Sequence, residues 1–360
     1  MQEIFSGKEI FCIGNISSNK DLLMVSFGYA KAEKERNNIY FGVRFFKKHS
    51  IDYIAIDAKV NNWWQTREIF ELIEKISRLD LLAGYRNIVC YGSSMGGYGA
   101  LLFSKLFRAN SVIAFSPQYS IDPLKVPFEN RFPEANKLNY FFDDISTFCS
   151  SDASKYVFCD PYDIDGAHAN IISCLSNVSV VKIPFSGHTV THFLSEIGEL
   201  ESVVFELVEN RFSVLSFRKM VRSNRRKSSK YWFNLAAALY KRNRNSPSLA
   251  ISMAKNSFEI SRVPKVARFV ALRYLELNNF IEARNWFELA LDCNDDLFLT
   301  LRSMINFEFD SLSFSNALRL FSRCKELRLN STISESEFSR LRDMYISRLE
   351  KLCKSDCHTT

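Results

Sequence analysis

The stretch "NIVCYGSSMGGYGALLFSKLF", residues 87–107, runs from a strand-like apolar segment into a helical pattern through Gly92-Ser93-Ser94-Met95-Gly96-Gly97. A G-x-S-x-G at such a join puts its central serine, here Ser94, on a sharp turn that lifts the hydroxyl above the sheet. Glycines two residues to either side remove side chains that would strike the neighbouring strand and helix. Ser93 is read as support for the turn. The helix that begins near Gly96 brings the positive end of its dipole to the place where an oxyanion would form.

A serine hydroxyl is a weak nucleophile, so it needs a base, and the base needs an acid to orient it. In a sheet of this kind the chain order is serine, acid, histidine. His188, in "VVKIPFSGHTVTHFL", directly follows the last strand-like run and is the expected base. His192 falls in the next helix, His49 precedes the serine, His168 rides on a helix and His358 sits in a polar tail. The segment "KYVFCDPYDIDGAHANII" offers three acids. Asp160 ends a strand just before Pro161 and is the expected triad acid, with Asp163 as the alternative. Asp165 reads as a helix N-cap. For the oxyanion, one donor is expected from the Met95 N–H and a second from Phe27 or Gly28 in "MVSFGYA". The HGGG form of that loop is missing.

These residues need a frame to hold them. Six short runs rich in Val, Ile and aromatics read as strands: 22–27, 52–58, 87–92, 111–117, 155–160 and 179–185. Segments with helical spacing lie between them, such as "WQTREIFELIEKISRL". The alternation implies a mostly parallel sheet with helices on both faces, an α/β class. All twelve glycines lie at or before Gly198. The glycine-free remainder reads as helix pairs, with Ala250, Ala283 and Ala317 recurring at spacings of 33 and 34 residues, and Tyr240, Tyr274 and Phe307 at 34 and 33. A period near 34 resembles tetratricopeptide repeats, although "NN" at 278–279 replaces the usual turn glycine. The domain reading is a catalytic domain over 1–212, a basic linker over 213–230, an all-α helical-repeat domain over 231–350 and a polar tail over 351–360.

Apolar residues make up 47% of the chain and charged residues 24%, a folded rather than a disordered balance. No apolar run is long enough to span a bilayer, and the N-terminus is a poor signal peptide. Nine scattered cysteines without a CxxC pair fit a reducing compartment, so a cytoplasmic location is expected. HExxH, ligand-spaced Cys/His clusters, the phosphate loop and G-x-G-x-x-G are all absent, so no metal or nucleotide chemistry is expected. The net charge of +7 concentrates in "RKMVRSNRRKSSK", 218–230, where seven of thirteen residues are basic and none is acidic. That segment fits a solvated linker, an acidic polymer or a peripheral contact with an anionic membrane. Without interleaved aromatics it does not fit nucleic acid.

The patterns "NNWWQTREI", "YGSSMGGYGALLF", "AFSPQYSID", "CDPYDIDGAHA" and "PFSGHTV" resemble the α/β-hydrolase fold over about residues 5 to 210. More narrowly, they are similar to a bacterial subgroup associated with glycan and capsule assembly. The resemblance implies a serine enzyme with Ser94, His188 and Asp160 as its triad, either a carbohydrate O-acetyltransferase or an esterase. Trp64 and Gln118 are expected to shape the pocket, and Arg225 and Arg226 to meet an acidic substrate. Acetyl-CoA is the expected acyl donor, with no permanently bound cofactor, and the acceptor is a glycan. The helical region lies outside the resemblance and is expected to bind a protein partner. A carboxylesterase, and a non-catalytic scaffold built on the repeats, stay open beside transfer.

Overall fold

The computed structural model describes residues 2–18, 20–31, 40–243, 247–293, 297–330 and 332–356. It divides into two compact units, Met1–Lys230 and Tyr231–Thr360.

The first unit is built on eight strands: β1 (Gln2–Ser6), β2 (Ile10–Asn15), β3 (Leu22–Phe27), β4 (Asp52–Ala58), β5 (Asn87–Ser93), β6 (Ser111–Phe115), β7 (Ser154–Cys159) and β8 (Val178–Lys182). They lie in the order β1-β2-β4-β3-β5-β6-β7-β8. β1 pairs antiparallel with β2, and β2 antiparallel with β4; every later pairing is parallel. This is an α/β-hydrolase-like sheet. Among the described residues its α-helices are α1 (Val43–Lys48), α2 (Glu68–Arg78), α3 (Met95–Leu102), α4 (Ile145–Phe148), α5 (Ile164–Ile172), α6 (Val190–Glu196), α7 (Leu200–Val208) and α8 (Val214–Asn224).

Helices on both faces explain why the central strands read as continuous apolar runs. Every residue of β4 and β6 is buried, and so is every residue of α3. On α2, Ile69, Leu72 and Ile76 recur at helical spacing and form the buried stripe. The six strand-like runs correspond to β3 through β8. β1 and β2 were not anticipated; they form a hairpin at the sheet edge, from residues whose turn "GKE" gives little signal.

The register aligns the carboxyl ends of the parallel strands. Phe27 pairs with Gly92, Ser93 with Phe115, Phe115 with Phe158, and Cys159 with Lys182. The chain therefore leaves the sheet along one edge at Ser94, Ser116, Asp160 and Ile183, the edge where open α/β sheets hold their ligands.

The segment 213–230, expected as a linker, is helical and tied into the first unit. α8 continues into a 3-10 turn, Arg225–Lys227, and Ser228 donates to Glu196 while Asn224 donates to Glu199 at 3.1 Å.

The second unit comprises α9 (Ser229–Arg242, whose first two residues lie in the first unit), α10 (Ser248–Ile260), α11 (Pro264–Glu276), α12 (Phe280–Asp292), α13 (Leu297–Asp310), α14 (Phe314–Leu329) and α15 (Glu335–Asp356). α15 runs through the start of the expected polar tail; His358 lies outside the described residues. Ala250, Ala283 and Ala317 sit on α10, α12 and α14, each buried. Tyr240, Tyr274 and Phe307 sit on the alternate helices α9, α11 and α13. Among the described residues, no helix is long and apolar enough to cross a membrane.

Two glycines make the serine turn possible. A Cβ on Gly92 would fall 2.1 Å from the Gly96 carbonyl oxygen, and one on Gly96 would fall 2.2 Å from the Phe27 carbonyl oxygen. Both obstacles are backbone and cannot swing aside. Alanine is normally the better helix residue by about 1 kcal/mol, so Gly96→Ala, within α3, gives a test whose sign is informative. The substitution is expected to destabilise the fold by about 3 kcal/mol, read from its urea midpoint. An unchanged or raised midpoint would show that the turn has room to spare.

Candidate active site

Ser94 occupies the left-handed side of backbone space, with φ 55° and ψ −123°. For a residue with a Cβ such a conformation costs on the order of 1–3 kcal/mol and persists only where the surroundings impose it. Here the Ser94 N–H donates to the Phe115 carbonyl at 2.9 Å, and its own carbonyl receives the Tyr98 N–H at 2.9 Å. Although Ser94 stands at the N-cap of α3, its hydroxyl makes no capping bond. Instead Ser94 Oγ lies 3.0 Å from His188 Nε2.

His188 reaches the serine from the loop after β8. That loop is fixed by Ser186, whose hydroxyl donates to the Ile183 carbonyl at 2.9 Å, and by the Gly187 N–H, which donates to Asp160 Oδ2 at 2.8 Å. His188 Nδ1 lies 2.7 Å from Asp165 Oδ2. An ionised carboxylate only accepts, so that contact requires the proton on Nδ1. Nε2 is then the acceptor for the serine proton, the tautomer a general base needs.

The carboxylate at His188 is therefore Asp165, not Asp160 or Asp163. The helix starts two residues earlier than expected. Asp163 is the N-cap of α5, its side chain accepting from the Ile164 N–H at 2.7 Å. This puts Asp165 inside the first turn, where the helix dipole favours a negative charge and its side chain points into the protein with no exposed surface. Asp160 supports the histidine loop instead. It accepts from the N–H groups of Tyr162, at 3.0 Å, and Gly187. Burial pushes its carboxyl up, partly offset by those backbone donors.

A guanidinium not anticipated from the sequence completes the cluster. Arg131, on the connection between β6 and β7, bonds Asp165 Oδ1 at 2.8 Å and approaches His188 Nδ1 to 3.3 Å. Its other partner is Glu129, at 2.6 Å. Glu129 also lies 3.0 Å from His168 Nε2, while His168 Nδ1 receives the Tyr119 N–H at 3.1 Å. A backbone donor at Nδ1 leaves the proton on Nε2, so His168 is neutral and donates to Glu129. Burial alone would raise the Glu129 carboxyl, but hydrogen bonds from His168 and Arg131 outweigh it and hold it at about 2. The sequence does carry a signal for this cluster. Asp165 and His168 are three apart on a helix and so share a face, and "FENRF" places two charges between aromatics.

Gln118, expected to shape the pocket, lies beside the serine. It is fully buried, with Oε1 3.4 Å from Ser94 Oγ and Nε2 donating to the Ser116 carbonyl at 3.2 Å. Trp64 does not line a pocket. It is wholly buried, its indole N–H donates to the Met95 carbonyl at 2.8 Å, and its ring packs edge-on to Phe27 at 5.3 Å. Its place is beneath the serine turn, as a support. Of the expected oxyanion donors, Met95 stands at the first position of α3, where an N–H has no intrahelical acceptor. Gly28 does not qualify, since its N–H donates to the Ile56 carbonyl at 2.9 Å. Phe27 ends β3 in register with Ile56 and Gly92, and it turns its carbonyl toward Gly96. Arg225 lines a separate groove of about 280 Å³ with Lys182, Arg218, Arg222 and the apolar Pro184, Phe217 and Val221. Arg226 is exposed and does not line it. Among the described residues, no cluster of three or more His, Cys, Asp or Glu side chains is arranged to hold a metal ion.

No protein-family model matches the chain, and no curated protein does. Among solved structures it is similar to the capsule O-acetyltransferase of Neisseria meningitidis serogroup A, at 15% identity over 57% of this chain and 94% of that one, with a TM-score of 0.42. It is also similar to Est1E from Butyrivibrio proteoclasticus, at 13% identity over 61% and 98% of the two chains, TM-score 0.39. A third likeness is to an α/β-hydrolase enzyme from the metagenome of Mar Chica lagoon sediments in Morocco, at 12% identity over 59% and 99%, TM-score 0.38.

The geometry separates the two aspartates by experiment. With a fluorophosphonate as probe of the serine, Asp165→Asn is expected to slow labelling by about 10⁴-fold, because the amide favours the wrong imidazole tautomer. Asp160→Asn, which keeps the Tyr162 interaction and loosens one loop contact, is expected to lose far less. The opposite ranking would return the acid to Asp160.

Proposed function

We propose that this chain is a serine acyl-transfer enzyme working through an acyl-Ser94 intermediate, and that its reaction is O-acetyl transfer from acetyl-CoA to a glycan hydroxyl. The observation that carries the reading is the continuous chain from Ser94 Oγ through His188 to Asp165, at 3.0 and 2.7 Å, starting at a strained serine above the sheet edge. As Ser94 Oγ bonds the donor's carbonyl carbon, His188 Nε2 takes the hydroxyl proton and then returns it to the leaving group. The acceptor hydroxyl next attacks the acyl-Ser94 carbonyl, giving its proton to His188, which restores it to the serine as the ester departs. Met95 N–H and the N-terminal end of α3 face the developing oxyanion.

The cationic groove of Lys182, Arg218, Arg222 and Arg225 supports an acidic ligand, either a charged glycan or the phosphates of the donor. Arg226 adds to the same basic surface. A cytoplasmic site of action goes with that donor. The helical unit, whose buried alanines recur at tetratricopeptide-like spacing, is assigned the role of binding a protein partner.

One observation favours hydrolysis as the second reading: the His188 side chain is 30% exposed, so water reaches the base that would activate it. The test is turnover of labelled acetyl-CoA with and without acidic capsular oligosaccharides, using wild type and Ser94→Ala. Label on a sugar only when Ser94 is intact supports transfer. Acetate released from simple esters with no sugar labelled makes the enzyme an esterase. No turnover together with no fluorophosphonate labelling of Ser94 would leave the scaffold reading.

A further inference from the structure

We propose that Arg131 is a positioning residue that sets the protonation balance of His188 by dividing one positive charge between two buried carboxylates, Asp165 and Glu129. The inference rests on the Ser94–His188–Asp165 reading and goes beyond it, since a serine triad requires no cation at its acid.

The geometry gives Arg131 two effects. The first is mechanical. Asp165 has two oxygens; His188 holds Oδ2 and the guanidinium holds Oδ1 at 2.8 Å, so the carboxylate cannot rotate away from the imidazole. Arg131 is itself braced, because its Nε lies 3.0 Å from Glu129 Oε1 and one terminal nitrogen lies 2.6 Å from Oε2. Such a fork fixes orientation as well as charge.

The second effect is electrostatic. The charged and titratable groups facing His188 come from four elements. Asp165 on α5 and Arg131 on the β6–β7 connection touch it, and Glu129 stands behind Arg131 with neutral His168 of α5. Asp160, at the end of β7, bonds the adjacent Gly187, with Asp163 nearby. The Ser94 hydroxyl on the β5–α3 turn completes the set. Apart from Asp160, which is bonded to the Gly187 N–H, two carboxylates share the guanidinium: Asp165 on the histidine and Glu129 behind Arg131. One guanidinium between them leaves a net single negative charge, that of an ordinary aspartate–histidine pair. Without Arg131 the imidazolium would be over-stabilised, and His188 would stay protonated and useless as a base to higher pH. Because the guanidinium stands 3.3 Å from Nδ1, it also opposes ring protonation directly. The two carboxylates are poorly screened, Asp165 and Glu129 being at most 1% exposed.

The experiment measures the rate of fluorophosphonate labelling against pH in wild type, Arg131→Met, Arg131→Lys and Glu129→Gln, with Ser94→Ala as control. Removing the cation is expected to move the midpoint of the rate profile upward by about one pH unit. Arg131→Lys, which keeps the charge but not the fork, is expected to bring the midpoint back toward wild type while the plateau rate stays low. Glu129→Gln removes one carboxylate charge and leaves Arg131 to Asp165, so its midpoint is expected to move downward. A residue that merely held the loop in place would change plateau rates without moving midpoints in opposite directions. Unmoved midpoints, or shifts of one sign in both Arg131→Met and Glu129→Gln, overturn the proposal while wild-type labelling at Ser94 leaves the triad standing. If Arg131→Met does not fold, Glu129→Gln decides alone: a downward shift supports the proposal, and an unmoved or upward midpoint overturns it. Absence of labelling at Ser94 in wild type would remove the triad reading itself, and this inference with it.

Discussion

A carboxylate taken fully out of water costs several kcal/mol unless both of its oxygens find charged or hydrogen-bonding partners. Asp165 is in that position, and much of the first unit is arranged by how its two oxygens are satisfied. Oδ2 takes His188, which requires β8 to end opposite β7 and the loop after it to double back over the sheet edge. Oδ1 takes Arg131, which requires the long 116–153 connection to lie across the same edge. That connection brings Glu129 to share the guanidinium, and Glu129 in turn uses His168, one helical turn beyond Asp165. The charges close into one set, with each buried ion facing an opposite one.

A second buried chain holds the same connection to α3. Gln65 donates to the Tyr98 hydroxyl at 3.0 Å; that hydroxyl bonds Asp143 at 2.7 Å, and Ser120 bonds the other Asp143 oxygen at 2.6 Å. Burial, with Asp143 beside it, drives the Tyr98 phenol well above its ordinary range, so it remains a donor. α3 is thus gripped by Trp64 beneath Met95 and by Asp143 at Tyr98. A rigid α3 is what allows Ser94 to hold an unfavourable φ, since strain survives only where the surroundings over-determine it.

The sequence displayed the strands that are buried on both faces, because burial writes itself as unbroken Val, Ile and aromatic runs. It hid β1 and β2, whose pairing at an edge depends on tertiary partners. The serine turn was legible because sterics dictate glycine at 92 and 96, and His188 because little else comes after the last strand. The acid was not legible. Choosing among Asp160, Asp163 and Asp165 requires the first residue of α5 to within one position, and helix ends are the least determined feature of a sequence. Capping chemistry drew attention to Asp165 for the wrong reason, while the cap is Asp163. Trp64 misled through its size: a large aromatic near a serine motif fits a pocket wall as readily as a support beneath it. Arg131 and Glu129 left only a faint trace, since charged residues in a connection are normally solvated and nothing local marks them as buried.

Exposure within the site is greatest at its middle member, the histidine. Asp165 has none, Ser94 is 9% exposed and the His188 side chain 30%. In the proposed mechanism the hydroxyl that resolves acyl-Ser94 gives its proton to His188 Nε2, and so would come within hydrogen-bond reach of that nitrogen. On that mechanism an acceptor would enter along the open side of the imidazole, while Gln118, with no exposed surface, lies 3.4 Å from Ser94 Oγ. Water and a sugar hydroxyl would use the same door. What separates them is occupancy: a bound glycan that covers the open flank of His188 excludes water from the base while presenting its own hydroxyl to it. Transfer in such a site depends less on the triad, which serves both reactions alike, than on the surface around His188 that holds an acceptor long enough to be first.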